Sequence, residues 1–203
     1  MNASGKPSLG QQIVGSGEDE PLVERLAARD CGALREVIAL HAKRLHRVAW
    51  RMTSDAQEAE DIVQEAMLRL WDQAPRIAAR LPAGSEGTGF RLGAWLQRVV
   101  TNLAIDRLRR TRRLTHSDLP EQEDETPLAD AVVEAREDGS LARALIAALP
   151  ERQRAAIVLT YYEELPNAQA AAAMDMNIKA FESLLHRART GLRQAFAEQG
   201  GVA

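Results

Sequence analysis

Residues 59–73 read AEDIVQEAMLRLWDQ, and two different faces of one helix are written into them. Ile62, Val63, Ala66, Met67, Leu70 and Trp71 recur in pairs every four residues, a continuous apolar stripe on a 3.6-residue period that assigns this side to a core. Just upstream, Thr53-Ser54 reads as the start of the helix. Ser54 with Gln57 fits a capping box, while Asp55 and Glu58 place negative charge in the first turn, where the helix dipole favours it. On the opposite face Asp61, Gln64, Glu65 and Leu68 lie together at i, i+3, i+4 and i+7, an apolar residue among carboxylates. A solvated face explains the charges; a docking surface for a large partner is the sharper alternative.

Upstream, Leu34, Val37, Ile38, Leu45, Val48 and Ala49 fall at three-and-four spacing among basic residues and predict an amphipathic helix. Downstream, RLPAGSEGTG (80–89) is a loop by its glycines and proline, and a long helix is predicted from about Phe90 to Arg113. Leu92, Leu96, Val99 and Leu103 form its buried seam, with Trp95 beside it. Arg98, Asn102, Ile105, Arg109 and Arg112 follow one another on another face. Six arginines between 98 and 113 stand against the single Asp106. Such a face attracts a polyanion, because each phosphate neutralised releases counterions, and Asn102 and Trp95 add groups able to contact or stack on bases. A solubilising function of these cations remains the plainer alternative, although the helix dipole favours them only over the last turn.

The charge is unevenly placed. The net charge of −3 averages 18 basic and 14 acidic groups over 1–117, 1 and 9 over 118–140, and 7 and 6 over 141–203. The acidic stretch, with Pro120 and Pro127 and few large apolar residues, favours an extended solvated tether between two domains. Residues 1–20, rich in Gly, Ser and Gln, read as a disordered tail. At 45% apolar and 27% charged the remainder can bury a core, which argues against a wholly disordered chain. Aromatics make up only 4%, and no apolar run approaches the roughly 18 residues of a membrane span, so an all-β fold and direct membrane insertion are both disfavoured. The single cysteine, Cys31, rules out an internal disulfide framework and reads as structural rather than redox-active. The first residues lack a signal-peptide core, and a cytoplasmic protein is expected.

Beyond the tether, residues 141–150 and 151–165 predict two short helices separated by Pro150, which suits the first turn of the second. PNAQAAAAMDMNIKAFESLLHRARTGLRQAF (166–196) then divides at Asp175-Met176. A short Ala-rich helix ending near Met174 precedes a longer one from Ile178, with Phe181, Leu185, Ala188, Leu192 and Phe196 inward and Lys179, Glu182, Ser183, His186 and Arg187 outward. Short helix, tight turn and basic helix are the syntax of a helix-turn-helix whose second helix enters the major groove, although a plain helical hairpin shares the pattern. His41, His46, His116 and His186 do not group at metal-ligand spacing, so no metal site is expected. With no phosphate-binding glycine loop and no nucleophile-base pair, neither a cofactor nor an enzyme is expected.

Residues 59–73, 94–113 (AWLQRVVTNLAIDRLRRTRR) and 145–193, in this order and spacing, resemble the bacterial extracytoplasmic-function (ECF) sigma factors. The resemblance covers about 35–195. It implies an all-α fold of two small helical domains, a sigma region 2 bundle at 21–114 and a sigma region 4 helix-turn-helix at 140–198, joined by the acidic flexible linker at 115–139. It implies an alternative sigma factor that binds core RNA polymerase through the β′ clamp helices and β flap, directs it to promoter DNA and promotes melting without ATP. Asp61, Gln64, Glu65 and Leu68 then bind core polymerase. Trp95, Arg98, Asn102, Asp106, Arg109 and Arg110 face the minus-ten element, beside a loop at 80–91 that holds a flipped base in family members. Lys179, Ser183, His186 and Arg187 read the minus-thirty-five element.

The resemblance also implies an anti-sigma factor as partner, and a linker that mimics nascent RNA or serves as a spacer. The chain departs from the family pattern at four places. Asp175 stands where many relatives have Gly, Pro166 where they have Ser or Thr, and Glu182 and Leu184 where basic residues are common. A stand-alone helix-turn-helix regulator that dimerises through its first domain is the competing function.

Overall fold

The computed structural model describes residues 19–81, 90–115 and 140–200. The acidic tether, most of the expected loop at 80–89 and all but the last two residues of the expected tail lie outside them.

The described residues are helical throughout their regular structure. The first unit comprises α1 (Asp19–Ala27), α2 (Cys31–Thr53), α3 (Ala56–Ala78) and α4 (Leu92–Thr115). The second comprises α5 (Ser140–Ala148), α6 (Glu151–Ile157), α7 (Asn167–Ala173) and α8 (Ile178–Gly200). Between α6 and α7 a π-helical turn spans Val158–Tyr162. Among the described residues no helix is long and apolar enough to cross a membrane.

Helix ends are fixed by side-chain oxygens. Asp30 starts α2, its carboxylate accepting from the Gly32 N–H at 2.7 Å. The junction of α2 and α3 corrects the expectation for Ser54. Ser54 ends α2 in the left-handed region (φ 59°), its N–H bonded to the Trp50 carbonyl, and Asp55 is the residue that caps α3. The Asp55 carboxylate accepts from the backbone N–H groups of Gln57 and Glu58, at 2.8 and 3.1 Å. A negative cap at the positive end of the dipole gives the hydrogen bond and the charge effect together.

Near its other end α3 contains Pro75, which has no N–H to give the carbonyl four residues back. That carbonyl belongs to Trp71, and the Arg29 guanidinium takes it at 2.8 Å while lying 5.2 Å from the Trp71 ring centre. The proline's vacancy is thus filled from the turn between α1 and α2, and α1, which sequence periodicity did not predict, is tied to α3.

The stripe of α3 is core as expected: Ile62, Ala66 and Leu70 are completely buried, and Trp71 packs at the margin. It meets Val37, Val48 and Met52 of α2 and Leu92, Leu96 and Val100 of α4 in one core. α4 approaches α2 closely at Gly93, where a Cβ would stand 3.3 Å from the His41 ring and oblige that ring to shift slightly. Ile105, expected beside the arginines, is buried, because the inward arc of α4 is wide enough to include it. Cys31 opens α2 at the surface and takes no part in the core, contrary to its expected structural role.

In the second unit α6 and α7 pack on α8 around Phe181, Leu185 and Ala188. Pro150 and Pro166 sit at the N-cap positions of α6 and α7. Phe196, expected inward, is exposed, and Ala195 takes its place against Leu145 of α5. The single helix expected over 151–165 instead gives way to the π-helical turn after Ile157. The two units share a continuous core: α4 packs on α6 and α7, and α2 on the π-helical turn.

Candidate functional site

Three sets of side chains single themselves out, and each is positioned by a buried stripe on the reverse of its own helix. The first lies on α3. Gln64 and Leu68 are exposed and Asp61 and Glu65 half-buried, while every fourth residue behind them is core. Their polar partners lie within the helix: Gln57 reaches Asp61 at 3.5 Å, and Arg69 pairs with Glu65 at 2.9 Å. Leu68, 61% exposed, stands about one turn beyond Glu65 on the same face. The result is a ridge of negative charge that leads to an exposed apolar residue, able to receive a partner that offers cations beside an apolar socket.

The second set lies on α4. Arg109, Arg110 and Asp106 are exposed, Asn102 is half-buried, and Trp95 rests against the core with part of its surface open. Arg107 is drawn back to Glu58 of α3 at 3.0 Å, which fixes the middle of the helix. Arg98 and Asn102 are engaged across the molecule. The Arg98 guanidinium and the Asn102 amide both donate to the carboxylate of Asp175, with Nε and Nδ2 at 2.8 and 3.1 Å from Oδ2.

The third set, Lys179, Ser183, His186 and Arg187, is exposed along α8. Asp175 and Met176 make the turn before it: Asp175 has φ 54°, a conformation that glycine adopts most readily, and the Met176 N–H closes on the Ala171 carbonyl at 2.9 Å. Asn177 starts α8, its side-chain oxygen accepting from the Ala180 N–H. This is a helix-turn-helix with an exposed polar second helix. Leu184 is buried, so this departure from the family pattern is a packing residue, whereas Glu182 faces outward with Lys179, Ser183, His186 and Arg187.

Sequence reasoning missed the residues that join the two units. The Glu163 side chain, only 5% exposed, receives Arg44 at 2.8 Å and Arg51 at 3.4 Å, both from α2. Arg51 also lies 4.6 Å from the Tyr162 ring centre. Arg154 is buried and donates to the Met52 carbonyl at 2.5 Å, satisfying the C-terminal end of a helix in the other unit. Burial lowers its pKa to about 10, with nearby Glu151 opposing the shift, so it stays charged near neutrality. Charge alternation along α2 was the available signal, but it does not reveal which arginine turns toward a distant segment.

Comparison with known proteins agrees with both halves. The family described as Sigma-70 region 2 matches residues 37–114, and Sigma-70, region 4 matches residues 140–192. The ECF RNA polymerase sigma factor SigL of Mycobacterium tuberculosis is 34% identical over 184 residues, which cover 88% of this chain and 97% of SigL. SigE of Mycolicibacterium smegmatis is 30% identical over 167 residues, 80% of this chain and 61% of that longer protein. The fold is shared with CnrH, solved in complex with the cytosolic domain of CnrY, at a TM-score of 0.59 and 23% identity, covering 89% of this chain and 97% of CnrH. The competing reading of a stand-alone regulator is not favoured. A region 2 bundle, a region 4 helix-turn-helix and a relative matched over nearly its whole length lead to one conclusion: the chain belongs to the ECF RNA polymerase sigma factor family.

Proposed function

We propose that this chain is an alternative sigma factor that docks on core RNA polymerase through the outward face of α3 and brings two DNA-reading helices to a promoter. The observation that carries the docking assignment is Leu68, exposed among Asp61, Gln64 and Glu65 on a helix whose other side is fully committed to the core. An exposed leucine beside acids gains nothing for the free protein, and loses water only when a partner covers it.

On this reading the first unit, 21–114, binds polymerase and the minus-ten element, and the second, 140–198, reads the minus-thirty-five element. Trp95, Arg98, Asn102, Asp106, Arg109 and Arg110 face the opened strand. Their cations bind its phosphates, and the planar groups receive unstacked bases. Lys179, Ser183, His186 and Arg187 enter the major groove of the upstream duplex. Melting draws on binding energy: the few kcal/mol needed to unstack a base are offset by contacts to the separated strand. The protein works in the cytoplasm, where core polymerase is. CnrH was solved with CnrY, and a second solved relative, RpoE of Bartonella quintana, with the anti-sigma factor NepR; regulation of this chain by an anti-sigma factor belongs to the same proposal.

The test is reconstitution. Purified protein, core polymerase and promoter fragments should yield run-off RNA that neither protein gives alone, and Leu68→Glu should remove both the RNA and co-elution with polymerase. DNA binding by the free protein, with no RNA made in any mixture, would refute the assignment.

A further inference from the structure

Among the described residues, four ion pairs between the two units share one polarity. Arginines of the first unit (Arg44, Arg51, Arg98, Arg112) meet acids of the second (Glu163, Asp175, Glu151). At Asp175 the partners are Arg98 and Asn102, a cation and an amide donor converging on one carboxylate, the donor set that would bind a phosphate oxygen. Asp175 holds this position at a left-handed φ of 54°, where glycine would turn the chain without strain. The carboxylate therefore adds something the turn itself does not require.

We propose that Asp175 is an autoinhibitory latch: in the closed molecule the turn of the helix-turn-helix stands in for DNA phosphate on α4 and withholds Arg98 and Asn102 from a single strand. The clamp of Arg44 and Arg51 on Glu163, and the seating of Arg154 on the end of α2, hold the latch in place. Closure is selective. The docking face on α3 and the reading face on α8 both stay exposed, while Arg98 and Asn102 of α4 are occupied. The closed form can thus meet polymerase before it can hold an opened strand. The proposal rests on the assignment of α4 to the minus-ten element.

The test uses the full chain, a fluorescent single-stranded oligonucleotide of mixed sequence, and small-angle X-ray scattering. Asp175→Gly keeps the turn, loses the carboxylate, and is expected to enlarge the radius of gyration and tighten oligonucleotide binding about twofold to fivefold, the range for a half-exposed ion pair. Glu163→Gln loosens the same closure from a site away from α4, and is expected to tighten binding about tenfold because its carboxylate is nearly dry. If Asp175 were a turn residue only, glycine would leave affinity unchanged. Unchanged affinity in either variant, or a wild-type chain already as expanded as the variants, overturns the latch. Adding Arg109→Ala and Arg110→Ala to Asp175→Gly separates the two levels: if affinity then falls, α4 is a strand-binding helix whatever the fate of the latch; if not, the α4 assignment itself fails.

Discussion

The outward faces of α3 and α4 grow from the same bundle by the same rule, an apolar stripe inward and a charged set outward, yet the fold treats them oppositely. The α3 set finds its polar partners inside its own helix and leaves Leu68 to solvent. The α4 set gives Arg98 and Asn102 to an acid 73 residues or more away. Amphipathic patterning tells which side of a helix is outward from its own core. It does not tell whether another part of the chain lies there, because that contact requires no apolar periodicity, only complementary charge.

This contrast can be broken most sharply on α3. Asp61→Arg is expected to weaken association with core polymerase by at least about 100-fold, through like charges brought together at a desolvated contact, as read by co-elution or titration. Its thermal unfolding is expected to stay within about 0.5 kcal/mol of wild type, as for surface substitutions generally. Turning to the reverse of the same helix, Leu70→Ala is expected to cost about 2–5 kcal/mol in denaturant unfolding, since the side chain is completely enclosed. If the two variants exchanged phenotypes, the division of α3 into a structural and a docking side would be wrong.

The outward face of α8, open like that of α3, sharpens the comparison from another direction. Arg187→Ala is expected to weaken promoter binding by about 1–3 kcal/mol if the side chain reaches a base, with the loss confined to particular upstream sequences. A loss spread evenly over sequences, with a shallower salt dependence, would identify a phosphate contact instead. The smallest effect concerns how α3 begins. Asp55→Ala is expected to cost about 1 kcal/mol through the lost cap, whereas Ser54→Gly, at φ 59°, is expected not to destabilise the protein.

Much of this fold is legible in local pattern. The stripes of α3 and of the first half of α8, the Ala-rich α7 and the break at Asp175 all follow from periodicity and turn chemistry, and the exposed sets on α3 and α8 follow with them. The failures also have physical causes. Ser54 and Asp55 are both good caps, and only the path of the backbone decides which one faces the free N–H groups. Ile105 differs because a helix gripped from several sides buries a wider arc than one stripe, and Phe196 because packing on α5 continues the inner stripe of α8 through Ala195 instead. Tertiary packing likewise selects the π-helical turn and α1, neither of which has a clear local signature. Glu163, Arg154 and the engagement of α4 lie beyond local reading altogether, because their partners are elsewhere in the chain.

Arg154 carries a consequence of its own. Its side chain is buried while its guanidinium holds the last turn of α2 through the Met52 carbonyl. Parting the units cannot stretch that bond gradually; it must hydrate a cation and a helix end in the same event. Any such parting is therefore a water-uptake step, and excluded osmolytes such as sucrose or trimethylamine oxide are expected to favour the packed arrangement.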